Sequence, residues 1–383
     1  MKKLMAIAAC AAMLAGCCSK PAEAPKHSEA AETLLKALQE CVDEGKVMYG
    51  HQDDLNYGHD WRIADDDMSM SRSDVLDVCG SYPAIIGVDM GGIELGDTKN
   101  LDSNYFYHNR EAIVTHYMRG GIPTISWHPR NPLTGGDAWD ISSDQVVASI
   151  IDGGENHEKF MGWLCNMADF IESCKTPAGD LVPIIFRPWH EHTGTWFWWG
   201  EGVCTPEQFQ ALWDMTYNYL TVERGLDNLV WAYSPNAGAG EEGLMARYPG
   251  DGECDIIGLD CYSGSLERPE GMDDEKWQEV LSKLSSDFTV RMKEGLDILQ
   301  AAAAEHGKVL AITETGFEGI KDGTWWTETL LPAISGYPAA YLLTWRNAPY
   351  WEKAGHWFAG FPGFEFEADF KAFCNDSRIK MLE

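Results

Sequence analysis

Eight short runs of apolar, β-prone residues recur along the chain, at 47–51, 84–90, 123–128, 182–187, 229–234, 256–262, 309–313 and 340–345. Within each run apolar positions do not alternate with polar ones, which predicts strands covered on both faces and hence a parallel sheet. The stretches between them, at 111–119, 160–174, 206–222 and 282–305, carry apolar residues at helical spacing. Thr205 ahead of Pro206 predicts an N-cap with proline in the first helical position. Eight strand–helix units predict an α/β fold, a closed (β/α)8 TIM barrel forming one domain over residues 31–383. The alternative, an open doubly wound sheet, requires a glycine-rich phosphate turn after the first strand. The chain has HQDDLNYGHDW at that place, residues 51–61.

The start of the chain departs from this pattern. Lys2 and Lys3 precede an apolar run at 4–14, followed by Leu14-Ala15-Gly16-Cys17. That predicts a lipoprotein leader over residues 1–17 with cleavage before Cys17, lipidation of that cysteine, and attachment to the cell envelope at the outer membrane, on its periplasmic or surface face. Residues 18–30, Pro/Ala-rich and polar, are expected to be a flexible tether. Cys10, Cys17 and Cys18 belong to the leader or anchor. Most other cysteines, such as Cys165, Cys174 and Cys261, sit in apolar segments, where a thiol acts as a small buried hydrophobe. Without a C-x-x-C pair there is no support for structural zinc, and no metal or cofactor is expected.

Composition narrows the partner. Sixty acidic against 29 basic residues give a net charge of -31, which repels nucleic acid and disfavours polyanionic substrates. A neutral polymer bound by a monomer remains compatible, and the 16 tryptophans offer flat apolar faces suited to the C–H faces of sugars.

In a barrel of this kind the reacting groups stand at the C-terminal ends of strands. Those ends read His51 and Gln52, Asp89, His128, Arg187 with His190 and Glu191, Tyr262, Glu314, and Trp345 with Arg346. The segment RPWHEHTGTWFWWG, residues 187–200, places Glu191 among Trp189, Trp196, Trp198 and Trp199. Desolvation there favours the protonated acid. Glu314 is expected to end the seventh strand, with Arg187 holding it ionised. Tyr262 would donate a hydrogen bond to it, His190 and His128 would orient hydroxyls or carboxylates, Trp345 would floor the sugar, and Trp196 and Trp139 would wall adjacent subsites. One carboxyl kept protonated and one kept ionised in the same cleft are what glycosidic cleavage requires.

These segments resemble glycoside hydrolase family 26 over all eight strand ends, from residue 47 to about 347. The family's R-P-x-H-E segment and following W-F-W-W run are matched by His190-Glu191 and residues 196–199, and its T-E signature by Thr313-Glu314. Its histidine after strand three, tyrosine after strand six and tryptophan after strand eight align with His128, Tyr262 and Trp345. The resemblance implies a retaining endo-β-1,4-mannanase acting on β-mannan, glucomannan or galactomannan by double displacement, with Glu191 as acid/base and Glu314 as nucleophile. The same machinery on mixed-linkage glucan or xylan, or an exo-acting release of mannobiose, stays open at this point, because subsite loops decide it.

Overall fold

The structure, a computed structural model, describes residues 27–382. The leader, Cys17 and the tether up to residue 26 lie outside the described residues. The eight parallel strands are β1 (Val47–Gln52), β2 (Ile85–Asp89), β3 (Ile122–Ser126), β4 (Ile184–Arg187), β5 (Leu229–Tyr233), β6 (Ile256–Ser265), β7 (Val309–Glu318) and β8 (Ala339–Thr344). Each pairs with the next, and β8 returns to β1 through Met48 opposite Tyr341 and His51 opposite Thr344, so the sheet closes into a TIM barrel. Every strand begins within two residues of the position its apolar run predicts. The reason is burial: β1 to β5 and β8 are buried along their whole length, so each run is predominantly apolar.

The predicted helices form at Phe106–Met118, His157–Ser173, Pro206–Tyr217 and Asp274–His306. Thr205 caps the third as expected, accepting from the Gln208 amide while the Gln208 side chain accepts from the Thr205 amide. Residues 218–222, expected to continue that helix, widen with Glu223 into a π-helical turn. The fourth helix starts eight residues before its predicted beginning, because Asp273 accepts from the Lys276 amide and caps a first turn too polar to show an apolar period.

Two further departures shape the molecule. The segment expected as tether up to residue 30 becomes helical at Glu29, where Ser28 accepts from the Ala31 amide. Helix Glu29–Asp43 buries Ala31, Leu34, Leu38 and Cys41 against Met48, Ile85, Ile185, Val230 and Ala311, residues at the beginnings of the strands. It therefore plugs the N-terminal mouth of the barrel. At the other end β6 and β7 run on as a paired ribbon to Ser265 and Glu318, with register shifts on either side of the Asp260–Glu314 pair. Glu314 thus lies inside a ten-residue strand instead of at its end. The extension carries Ser263, Gly264, Thr315 and Gly316, which gave no apolar signal. All eight cysteines among the described residues are free thiols.

Candidate active site

The chain leaves β4 through Pro188 into a turn in which Trp189 (φ 53°) and Glu191 (φ 52°) both take left-handed backbone conformations. For residues with a Cβ this costs about 1 kcal/mol or more each and persists only where the surroundings enforce it. The Glu191 amide donates to the Ser234 carbonyl at 2.7 Å, tying the turn to the end of β5. The result aims the Glu191 carboxyl into the barrel mouth, where Trp196 Nε1 donates to its Oε2 at 2.8 Å. Burial first, then the carboxylates of Glu314 and Asp260, push its pKa well above the ordinary glutamate range. With Oε2 accepting from the indole, Oε1 is the oxygen left to carry the proton.

Glu314 faces it from β7. Arg187 Nη2 donates to Glu314 Oε1, and Tyr262 donates its hydroxyl to Oε2 at 2.6 Å. Burial next to Glu314 drives the Tyr262 phenol well above its usual pKa, so it remains a donor. The other fork of Arg187 donates to Asp260 Oδ2 at 2.9 Å and to Ser234 at 3.2 Å. Thr313 donates to Asp260 Oδ1 at 2.6 Å. Burial works against the guanidinium, but Asp260 and Glu314 outweigh it and hold it charged. Burial raises Asp260 to about 7, opposed by Arg187. One oxygen from each of Glu191, Asp260 and Glu314 lies within 4.8 Å of the others. Three carboxyls this close are also a cation-sized cluster. Here two of them share the Arg187 guanidinium and the third is pushed towards neutrality, so the charge a cation would supply is already present.

His128 and His190 are brought to the same cleft but act on each other. Asp89, which accepts from Ser126 at 2.7 Å and from the Gly91 amide at 2.8 Å, bonds His128 Nδ1 at 2.6 Å. Burial lowers the His128 pKa, yet Asp89 outweighs it and the net shift is upward. Burial, Arg187 and His128 push His190 well below the ordinary histidine range. His128 Nε2 therefore donates to a neutral His190 Nε2 at 3.0 Å, an assignment made from the network. Among the described residues neither ring hydrogen-bonds a catalytic-cleft carboxylate other than Asp89, so the expected orienting of Glu191 or Glu314 by histidine is not what the structure shows.

The cleft, about 330 Å³, is bounded by Trp139, Trp196, Phe197, Tyr262, Trp345 and Phe358 around the two glutamates. It adjoins a lobe of about 450 Å³ that shares His128 and Trp139 and runs past Asp97, Lys99 and Arg130. A larger depression over Cys204 and Arg247, about 690 Å³, holds neither glutamate and is not where the paired carboxyls meet. Of the tryptophans expected to fence Glu191, only Trp196 reaches the cleft. Trp189, Trp198 and Trp199 are fully buried beneath it, because residues 189–200 form successive turns and bends that fold these rings back into the core. Trp139 is 48% exposed and its ring stacks on His128 at 5.3 Å. Asp260 was missed because it lies in the middle of β6, and Asp89 stood among the strand ends without an assigned role. Phe358 and Glu318 had no sequence signal, since one sits in a long loop and the other beyond the predicted end of β7.

Comparison with known proteins adds the following. A family model described as Glycosyl hydrolase family 26 matches residues 24–307, a stretch that includes Glu191 and stops short of Glu314. A mannan endo-1,4-β-mannosidase of Bifidobacterium adolescentis is 28% identical over 99% of this chain, which spans only 39% of that relative's length. The structure of a β-mannanase from Bacteroides ovatus superposes with a TM-score of 0.83 at 43% identity, covering 93% of this chain and 95% of that one. The structure of a modular endo-β-1,4-mannanase from Cellulomonas fimi superposes with a TM-score of 0.78 at 29% identity, covering 94% and 77%.

Proposed function

The chain belongs to glycosyl hydrolase family 26, and from that premise we propose that it is a retaining endo-β-1,4-mannanase. The observation that carries the proposal is the approach of the Glu191 and Glu314 carboxyls to within 4.8 Å across the barrel mouth. Double displacement needs about 5–5.5 Å between carboxyl groups, whereas direct attack by water needs about 6.5–9.5 Å. In the first step a Glu314 oxygen bonds to the anomeric carbon as the C1–O bond breaks, and Glu191 delivers its proton to the departing oxygen. In the second, water attacks C1, Glu191 takes a proton from it, and the Glu314–C1 bond breaks with net retention. Arg187 and Tyr262 hold Glu314 in place, each donating to one of its two oxygens. Trp345 floors the sugar being cleaved, with Trp139 and Trp196 walling neighbouring positions. His128 and His190 line the edge of the cleft with their Nε2 atoms bonded to each other, so a sugar hydroxyl reaches either ring only by displacing that bond.

Mannan as the polymer is supported by the names of the relatives from Bifidobacterium adolescentis and Cellulomonas fimi. Acylation at Cys17 is read from the leader alone and would hold the enzyme at the cell envelope. One experiment tests both: linear mannan, glucomannan, galactomannan, xylan and mixed-linkage glucan are offered to membrane and soluble fractions of expressing cells, with reducing ends as the readout. Release from the mannans by the membrane fraction is expected. Silence on all three mannans sinks the substrate assignment, and activity confined to the soluble fraction sinks the anchor.

A further inference from the structure

A further carboxylate, beyond Glu191, Asp260 and Glu314, lines the same cleft and has no part in the bond chemistry. Glu318 is the last residue of β7 and lines the cleft together with Glu191 and Glu314. Alternate residues of a strand share a face, so Glu314, Gly316 and Glu318 rise in order up one wall. Four residues of strand put Glu318 roughly 13 Å beyond Glu314, out of reach of the anomeric carbon the latter attacks.

The surroundings of Glu318 are built. His356 Nδ1 bonds Glu318 Oε1 at 2.6 Å, with the histidine side chain 10% and the glutamate 27% exposed. Burial and the nearby Arg346 push the His356 imidazole down to about 4. At neutral pH it is therefore an uncharged Nδ1–H donor. Burial opposes the Glu318 carboxylate, but the hydrogen bond from His356 outweighs it, with Ser265 helping, and its pKa is lowered. The charge of Lys353 acts on it in the same direction. The wall between the glutamates is fixed by Phe358, whose ring packs edge-on to both Tyr262 (5.7 Å) and His356 (5.2 Å). Phe358 lies directly over Gly316, where a Cβ would come to 2.5 Å from its Cδ1. His356 also anchors the loop after β8, its carbonyl accepting from the Ala348 amide at 2.8 Å. An anion oriented by a neutral imidazole, partly open to the cleft and with acceptor capacity to spare, suits the hydroxyls of a neutral sugar.

We propose that Glu318, held by His356, is a specificity-determining subsite residue that accepts hydrogen bonds from hydroxyls of a sugar next to the one being cleaved. This rests on the assignment of the cleft to β-linked polysaccharide. Hydrogen bonds to a charged acceptor discriminate about tenfold or more, because a lost partner leaves the acceptor or the sugar hydroxyl unpaired.

The test is steady-state hydrolysis of mannohexaose by the intact chain carrying Glu318→Ala, Glu318→Gln, His356→Ala or His356→Asn, alongside the unaltered protein. KM is expected to rise about tenfold in Glu318→Ala and less in Glu318→Gln, with kcat within about twofold. His356→Asn, which keeps a donor near the Nδ1 position, is expected to recover most of the KM lost in His356→Ala. Unchanged KM in both Glu318 variants overturns the proposal, as does a fall in kcat at constant KM. If Glu318→Ala fails to fold, the isosteric Glu318→Gln variant decides alone. Should the unaltered protein leave mannohexaose intact, the substrate assignment fails instead, and the same constants are taken on whichever β-linked hexasaccharide it does cleave.

Discussion

The two mouths of the barrel are built from opposite materials. At the N-terminal mouth, helix Glu29–Asp43 lays Ala31, Leu34 and Leu38 onto apolar side chains from the beginnings of the strands. At the C-terminal mouth the buried groups are Arg187, Asp260, Glu314, Asp89, His128 and His190, beside two residues with left-handed backbone. Burying charge and holding positive φ both cost stability, even when each charge finds a partner. Burying aliphatic carbon stabilises by about 25 cal/mol per Å². One mouth thus supplies stability that the other consumes, and changes at the two ends are expected to separate into effects on folding and effects on turnover.

The largest expected effect is at the C-terminal mouth. Glu314→Ala is expected to lower turnover on mannan by more than ~10⁴-fold while leaving polymer binding in place, because the attacking atom is gone and the walls are not. Glu191→Ala is expected to lose about 10²–10⁴-fold on polymer and far less on an aryl glycoside with a good leaving group, which needs no proton. Equal losses on both substrates would remove the acid role from Glu191. Neither change should shift the unfolding midpoint as far as one at the plug. There, Leu38→Ala at a fully buried position is expected to cost about 2–5 kcal/mol in denaturant unfolding, with kcat per folded molecule unchanged. A lowered kcat with an unmoved midpoint would show that the two mouths are not separable.

The same contrast explains what could be read in advance. Strands stood out because runs such as Ile184–Arg187 are buried on both faces, and the paired glutamates stood out because each follows such a run. The ribbon that continues β6 and β7 did not, since Gly264, Ser265 and Gly316 look like loop. That concealed both the interior placement of Glu314 and the place of Glu318 on the cleft wall. The plug was hidden for a different reason: its polar outward face follows directly on a Pro/Ala-rich segment, and Glu29 reads as more of the same. The run at 196–199 misled in the other direction, because an aromatic suits a sugar and a core equally. Only the turn geometry separates Trp196, which donates to Glu191, from Trp198 and Trp199 beneath it.

The smallest effect is the sharpest test of the idea that the catalytic mouth consumes stability. The Glu191 carboxyl has a pKa raised in the folded protein by burial and by Glu314 and Asp260. A carboxyl with a raised folded-state pKa binds its proton more tightly when folded, so its contribution is most favourable at low pH. That contribution is lost as pH rises from the unfolded value, about 4.3, through the folded one. At pH 7 the unfolded chain gains from ionising this group while the native site resists it. Glu191→Gln keeps the shape and the acceptor for Trp196 but cannot ionise. It is therefore expected to raise the thermal midpoint at pH 7 and to lose that advantage below about pH 4, where the wild-type carboxyl is protonated in both states. Thermal scans of both proteins across pH 3.5–8 measure the difference. A gain that did not change with pH would mean that repacking, not the proton, separates the variants, and an absence of gain at pH 7 would mean that Glu191 places no burden on the fold.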